Sequence, residues 1–339
     1  MFSDIYFRLL LDVMDKDPNI QYTPSRSNKD SEDPTVTSVK YYGQLISSAY
    51  KQNPGSNIGL VFGKHMSPIN GCDFSRLLST AQQVGQCFNL LVNQYHTLNL
   101  KLFPILHTHK GRVSISIVFP YQNENNEDET RFCNETFYSY CLNSLRALID
   151  NNINPLRVHL NFSKPLYADQ LEALFRCPIV YDSPISMIEF SEDIMTRELP
   201  SWNKSLHEVY LSRAQESWKA VKRLQSFRYR AVTILMTQAP NGFNGQYLAE
   251  EMSISIRGLQ KRLSAEGSSF SHICQLARRE LAKVCLFQLQ LNLEDTAFTL
   301  GFQTQASFRR FFKGQFSMGP KEYLTKHAIM NNTETAQVI

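Results

Sequence analysis

The sequence predicts an α+β N-terminal domain followed by an all-α domain, and three observations predict it. Helical and strand-like stretches interleave as far as Pro200, the mark of an α+β arrangement. Nothing after Pro200 alternates apolar and polar residues in the manner of a strand. Charge divides near the same place: residues 1–227 hold 22 Lys+Arg against 23 Asp+Glu, whereas residues 228–327 hold 13 against 7. A helical domain with that excess suits a polyanionic partner, the plainer alternative being a solvated face that is basic.

Composition sets the outer limits. At 339 residues, 42% of them apolar and 19% charged, the chain has enough buried surface for two domains and is not compositionally disordered. No apolar run approaches the ~18–20 residues that a membrane span needs, and residues 1–18, with four aspartates, lack the order of a secretory signal. Seven scattered cysteines, with no Cys-x-x-Cys pair, argue against a disulfide scaffold or a zinc ribbon. The expectation is a soluble cytoplasmic protein with no membrane contact.

In the N-terminal half, apolar residues at 2, 5, 9 and 10 suit a short amphipathic helix at Met1–Leu11, and the Pro-, Ser- and Asn-rich stretch Asp17–Ser38 reads as loop. Helical spacing returns at Tyr41–Tyr50. It returns again at Phe74–Tyr95, where apolar residues fall at 74, 77, 78, 81, 84, 88, 91 and 95. Leu98–Leu106 is short and apolar. Val113–Phe119 alternates Val and Ile with Ser and predicts a half-buried strand. The acidic segment Asn123–Glu129 reads as a solvated loop before a helix at Phe132–Ile149. A strand near Leu156–Phe162, a helix at Tyr167–Phe175 and short strands at Pro178–Tyr181 and Ser186–Phe190 complete this half. Leu206–Leu224 then forms an amphipathic helix.

The C-terminal half divides into two helix-turn-helix units joined by a long helix. In the first, Ala231, Ile234 and Leu235 share one face of an opening helix that stops at Pro240-Asn241-Gly242. Leu248 and Met252 stand one turn apart on the next. Ser255 then caps a third helix, with Leu259 and Leu263 inside, Arg257, Gln260, Lys261 and Arg262 outside, and Gly267 at its end. In the second unit Leu293, Ala297 and Leu300 line one face, and Gly301-Phe302 makes the turn. On Gln305–Phe316, Phe308 and Phe312 point inward, while Gln305, Arg309, Arg310 and Lys313 lie outward. Pro320 opens a closing helix. Between the units, apolar positions 270, 273, 277, 281 and 284 predict one rigid helix from Phe270 to Leu291, whose 22 residues would span ~33 Å.

These residues resemble the AraC/XylS-type regulators. The first half of that pattern is carried by Leu248-Ala249, by Ser255, Arg257 and Leu259-Gln260-Lys261-Arg262-Leu263, by Glu266-Gly267, and by Arg279, Leu281 and Ala282. The second is carried by Ala297, Leu300-Gly301-Phe302, Phe308, Arg310, Phe312-Lys313, Gly319-Pro320 and Tyr323. Asp73–Phe119 and Val158–Trp202 are similar to the arabinose-binding-like N-terminal region that many such regulators share. Three positions depart from the pattern. Thr296 stands where an aliphatic residue is usual, Gly258 interrupts a recognition helix at a cost of about 1 kcal/mol against alanine, and Ser317 replaces a common glycine.

The resemblance implies a sequence-specific, DNA-binding transcriptional regulator, an activator, reading two successive major-groove segments. Arg257, Gln260 and Lys261 in the first unit and Gln305 and Arg310 in the second match the family's DNA contacts, and the capping Ser255 and the outward Arg262 complete the candidate set in the first unit. Arg309 is added on physical grounds, and Lys313 as a phosphate contact. Arginine can hold guanine O6 and N7 with two hydrogen bonds, and glutamine can hold adenine N6 and N7; lysine suits phosphate. The partners implied are double-stranded DNA, RNA polymerase, a small-molecule effector and a second copy of the chain. The expected divisions are an effector-sensing and dimerisation domain at 1–205, a linker helix at 206–227, the DNA-binding domain at 228–327 and a disordered tail at 328–339.

Other chemistry finds no footing. His107-Thr108-His109 lacks further ligands at metal spacing. Gly55-x-x-x-Gly59 lacks the Gly-Lys-Ser/Thr ending of a phosphate loop, and no Gly-x-Ser-x-Gly elbow occurs. No catalysis, cofactor or metal is expected. The alternative function is a sensory or interaction protein whose helical domain binds protein rather than DNA.

Overall fold

Helix α1, Ile58–His65, is where the first core begins, because its glycines admit a second helix at backbone distance. A Cβ on Gly59 would stand 2.8 Å from the Phe132 carbonyl oxygen, and one on Gly63 would stand 2.7 Å from that of Thr136. Both neighbours belong to α4, Glu127–Leu148. Their contact buries Phe62, Phe132 and Phe137 to within 1% of full occlusion. The computed structural model describes Leu10 and residues 46–53, 55–66, 73–98, 102–120 and 127–335. The expected helix at Met1–Leu11, apart from Leu10, the loop at 17–38 and the start of the Tyr41–Tyr50 helix lie outside the described residues.

Among the described residues the chain forms two units. Those up to Leu224 form the first, except 118–120 and 182–185, which group with the second, Gln225–Thr335. In the first unit a single helix was expected over Phe74–Tyr95. Two are found, α2 at Asp73–Ser79 and α3 at Val84–Leu98. The break has a local cause. The Thr80 hydroxyl donates back to the Arg76 and Leu77 carbonyls, at 3.0 and 3.1 Å, and Gln83 leaves the helix to bridge Glu198. The apolar period runs on through the break, so periodicity could not reveal it.

Five strands form one sheet in the order β1-β2-β5-β3-β4. They are β1 Phe103–His109, β2 Arg112–Val118, β3 Arg157–His159, β4 Ile179–Val180 and β5 Ser186–Ser191. Strand β1 overlaps the short apolar stretch Leu98–Leu106. The turn joining it to β2, Lys110-Gly111, has positive φ at both positions (48° and 75°), as tight hairpins require. β2 and β5 pair antiparallel with Val113 opposite Phe190 and Ile115 opposite Ile188. β3 runs antiparallel to β5 and parallel to β4. α4 begins at Glu127, not after the acidic segment, since Glu127, Asp128 and Glu129 in its first turn complement the helix dipole. α5, Ala168–Phe175, follows β3.

The helix expected at 206–227 as a linker is α6, Lys204–Leu224. It packs within the first unit: Ala214 and Trp218 are buried, and the Trp218 ring meets Phe74 edge-on at 6.1 Å. The second unit contains α7 Phe227–Thr237, α8 Gly245–Glu251, α9 Ile256–Ala265, α10 Phe270–Lys283, α11 Leu293–Thr299, α12 Gln305–Phe316 and α13 Pro320–Thr335. α13 thus continues past 327, where a disordered tail was expected. The long connecting helix is shorter than the 22 residues expected. α10 has 14 residues, ~21 Å, and passes into a π-helical turn at Val284–Gln288. Val284, Cys285, Leu286 and Gln288 of that turn are buried.

Candidate nucleic-acid interface

Each recognition helix begins at a side-chain cap. The Ser255 hydroxyl accepts from the Gly258 N–H at 3.1 Å at the start of α9, and the Thr304 hydroxyl accepts from the Ser307 N–H at 3.1 Å at the start of α12. The helices that precede them in each helix-turn-helix are capped by asparagines. Asn244 accepts from Gln246 and Tyr247, and Asn292 accepts from Glu294 and Asp295. These short helices therefore have defined ends despite few residues.

The two faces of each recognition helix differ as amphipathic spacing demands. On α9, Leu259 and Leu263 are fully buried, while Arg257, Gln260, Lys261 and Arg262 are exposed. On α12, Phe308 and Phe312 are fully buried, while Arg309, Arg310 and Lys313 are exposed and Gln305 is half-buried. Among the described residues, Arg257, Gln260, Lys261, Arg309, Arg310 and Lys313 have no intramolecular hydrogen bond or ion pair, so their donors face outward unused. Arg262 differs from its neighbours, because its guanidinium lies 5.5 Å over the Phe227 ring of α7. Ser255 already serves as a cap.

The three departures from the family pattern have local explanations. Gly258 is the third residue of α9, and a Cβ there would come 3.3 Å from the Ser255 hydroxyl and 3.6 Å from Ile254. Crowding at the cap offsets its low helix propensity. Thr296 is fully buried, and its hydroxyl donates to the Asn292 carbonyl at 2.7 Å, which satisfies it in an apolar place. Ser317 ends α12 at φ 60°, the left-handed conformation that glycine adopts without strain.

The second helix-turn-helix is held from beneath by aromatic rings. Phe312 meets Phe308 at 5.7 Å, Phe316 at 4.4 Å and Tyr323 at 5.4 Å. Two supports of the interface were not singled out as such in the sequence. Glu266 accepts from the first amides of α7, and Arg278 bonds to the turn that leads into α12. The only signal for Arg278 was its place beside buried Ala277. His107 and His109 stack on β1 at 5.8 Å, and no group of three metal-ligating side chains occurs among the described residues. No described helix is long and apolar enough to cross a membrane.

Two capped helix-turn-helix units with outward basic and amide faces define a DNA-binding regulator. Residues 27–199 match the family model described as the arabinose-binding domain of AraC transcription regulator, N-terminal. Residues 248–326 match a helix-turn-helix domain. The chain belongs to the AraC family of transcription regulators and is not an enzyme.

Two relatives come from Pseudomonas aeruginosa. The ornithine utilization regulator is 22% identical over 284 residues, covering 83% of this chain and 82% of that protein. The HTH-type transcriptional regulator VqsM is 21% identical over 305 residues, covering 88% and 90%. The crystal structure of the transcriptional regulator CdpR from the same organism aligns at 18% identity with a TM-score of 0.48, covering 94% of this chain and 97% of that one.

Proposed function

We propose that the second unit reads two successive major-groove segments of one duplex, α9 entering the first and α12 the second. The observation that carries this is the pair of exposed, unbonded polar faces opposite fully buried stripes. Arg257 and Gln260 are the base readers of the first segment, with Lys261 at phosphate. Gln305, Arg309 and Arg310 serve the second, with Lys313 at phosphate. Ser255 acts through the α9 cap. Arg262 contributes to the first segment from its position over Phe227.

The first unit supplies control, with boundaries near 1–205 for sensing and 228–327 for DNA binding. A small-molecule effector is supported by the match to an arabinose-binding domain. A homodimer is supported by the exposed apolar residues Trp202, Leu206 and Val209 at the start of α6. Activation through RNA polymerase follows from the family resemblance. The alternative reading, protein binding by the helical domain, loses ground to the number of Arg, Lys and Gln on both faces.

Selection of bound duplexes from a random pool by the full chain tests the proposal. Two short blocks about one helical turn apart, ~34 Å, are expected. Recovery of one block alone would refute the reading by two segments. Sedimentation at micromolar concentration, with and without the selected duplex, tests the dimer, and a monomer in both would refute it.

A further inference from the structure

We propose that Arg278 is the positioning residue that sets the separation and orientation of the two recognition helices, and with them the block spacing the protein accepts. The inference rests on the two-segment reading above and deepens it.

Arg278 sits on α10, the helix between the two helix-turn-helix motifs. Its Nε donates to the Leu300 carbonyl at 2.8 Å and its Nη2 to the Gly301 carbonyl at 3.3 Å. The same planar guanidinium lies 4.7 Å over the Phe243 ring and 4.5 Å over the Phe302 ring. Phe243 belongs to the turn that leads into α8 in the first helix-turn-helix. Leu300, Gly301 and Phe302 form the turn between α11 and α12 in the second. One side chain thus bonds or stacks with both helix-turn-helix motifs at once.

The contact is built to be close. Gly301 has φ 69°, and a Cβ on it would come 2.9 Å from Cβ of Phe243 and 3.5 Å from Nη2 of Arg278. No larger residue leaves the two turns this near. The Leu300 and Gly301 carbonyls end α11, where the helix dipole favours a cation. Among the described residues no carboxylate pairs with Arg278, so carbonyls and rings are its partners. The second helix-turn-helix also rests on the connecting segment, with Arg279 6.0 Å over Phe316 and Phe287 meeting Tyr323 at 5.8 Å. Arg278 adds the contact that reaches across to Phe243, the turn of the first helix-turn-helix. Lysine has no planar fork with which to stack between rings while bonding carbonyls.

The test uses the full chain and the two-block duplex recovered by selection, each block alone, random DNA, and duplexes with one to three base pairs inserted between the blocks. Wild-type protein should bind the two-block duplex at least tenfold tighter than either block, and a two-base-pair insertion should weaken it at least tenfold. R278M should bind the first block alone within twofold of wild type, lose about tenfold on the two-block duplex, and lose less than threefold on insertion. R278K should follow R278M. If R278M melts below the assay temperature, F243L, which removes one ring of the stack, is expected to flatten the insertion penalty in the same way.

An unchanged insertion penalty in the folded variants would overturn the role of Arg278 and leave the two-segment reading standing. An equal loss on all sequences, with a shallower salt dependence, would make Arg278 a phosphate contact and overturn it too. Wild-type protein that binds one block as tightly as two would remove the two-segment reading and the inference with it.

Discussion

Glu266, at the end of α9, holds the first two amides of α7: its Oε1 accepts from the Phe227 N–H at 2.7 Å, and its Oε2 from that of Arg228 at 2.8 Å. The Ser226 hydroxyl takes the Tyr229 N–H at 3.1 Å, so three successive orphan donors of α7 are satisfied. A carboxylate here faces the positive end of a helix dipole. The end of a recognition helix and the start of the helix beneath it are thereby fastened together.

Glu266→Gln presents one acceptor where two donors point, and should cost about 1–2 kcal/mol in the second unit. Denaturation followed by circular dichroism should show an earlier helical transition. The tryptophan signal should not move, because Trp202 and Trp218 both lie in the first unit. A helical transition unchanged within error would show that the clamp carries no stability.

Arg257→Ala should cost roughly 1–3 kcal/mol and relax base preference at one block only. Lys313→Ala should weaken all duplexes about equally and lower the salt slope by about one unit. Titrations at several salt concentrations on specific and random DNA separate the two. Equal loss on both DNAs for Arg257→Ala would make it a phosphate clamp.

Ser317→Gly should stabilise the second unit by about 1 kcal/mol, because the residue sits at φ 60° where a Cβ is strained. The variant should melt higher in the helical transition. A lower melting point would mean that the serine makes a compensating contact.

Glu135 on α4 is fully buried, and burial pushes its carboxyl up to about 7, against the pull of the Tyr167 hydroxyl hydrogen bond and nearby Arg131. The unfolded carboxyl titrates near 4.3, so the folded state keeps its proton longer. The stability this group contributes is present below the unfolded value and is lost as pH rises through 7. Glu135→Gln should therefore gain on wild type between about pH 5 and pH 8, by up to ~3 kcal/mol. Buried His159, lowered to about 4 by burial, is common to both proteins and drops out of the difference. A difference that is flat with pH, read from the tryptophan transition, would sink the prediction.

The helices of the second unit and their inner faces were legible in the residues. Spacing put Leu259 with Leu263 and Phe308 with Phe312 on single faces, Ser255 stood where a cap must stand, and all are so placed. Polar residues on the opposite faces then faced outward by default. These are relations within one or two turns of helix, and periodicity contains them. The breaks were less legible. Thr80 ends α2 through its hydroxyl while the apolar period continues, and the apolar spacing also runs from α10 into the π turn without marking the change.

Relations between distant segments came only with folding. The order β1-β2-β5-β3-β4, the approach of Gly59 and Gly63 to α4, the hold of Glu266 on Phe227, and Arg278 between Phe243 and Phe302 join residues that no local pattern links. Sequence spacing records which face of an element is apolar, because that depends on the rise and turn of one backbone. Which elements meet, and which charged side chain ends between them, depends on the packing of the whole chain. An arginine beside Ala277 reads as solvent-facing until two aromatic rings close on it.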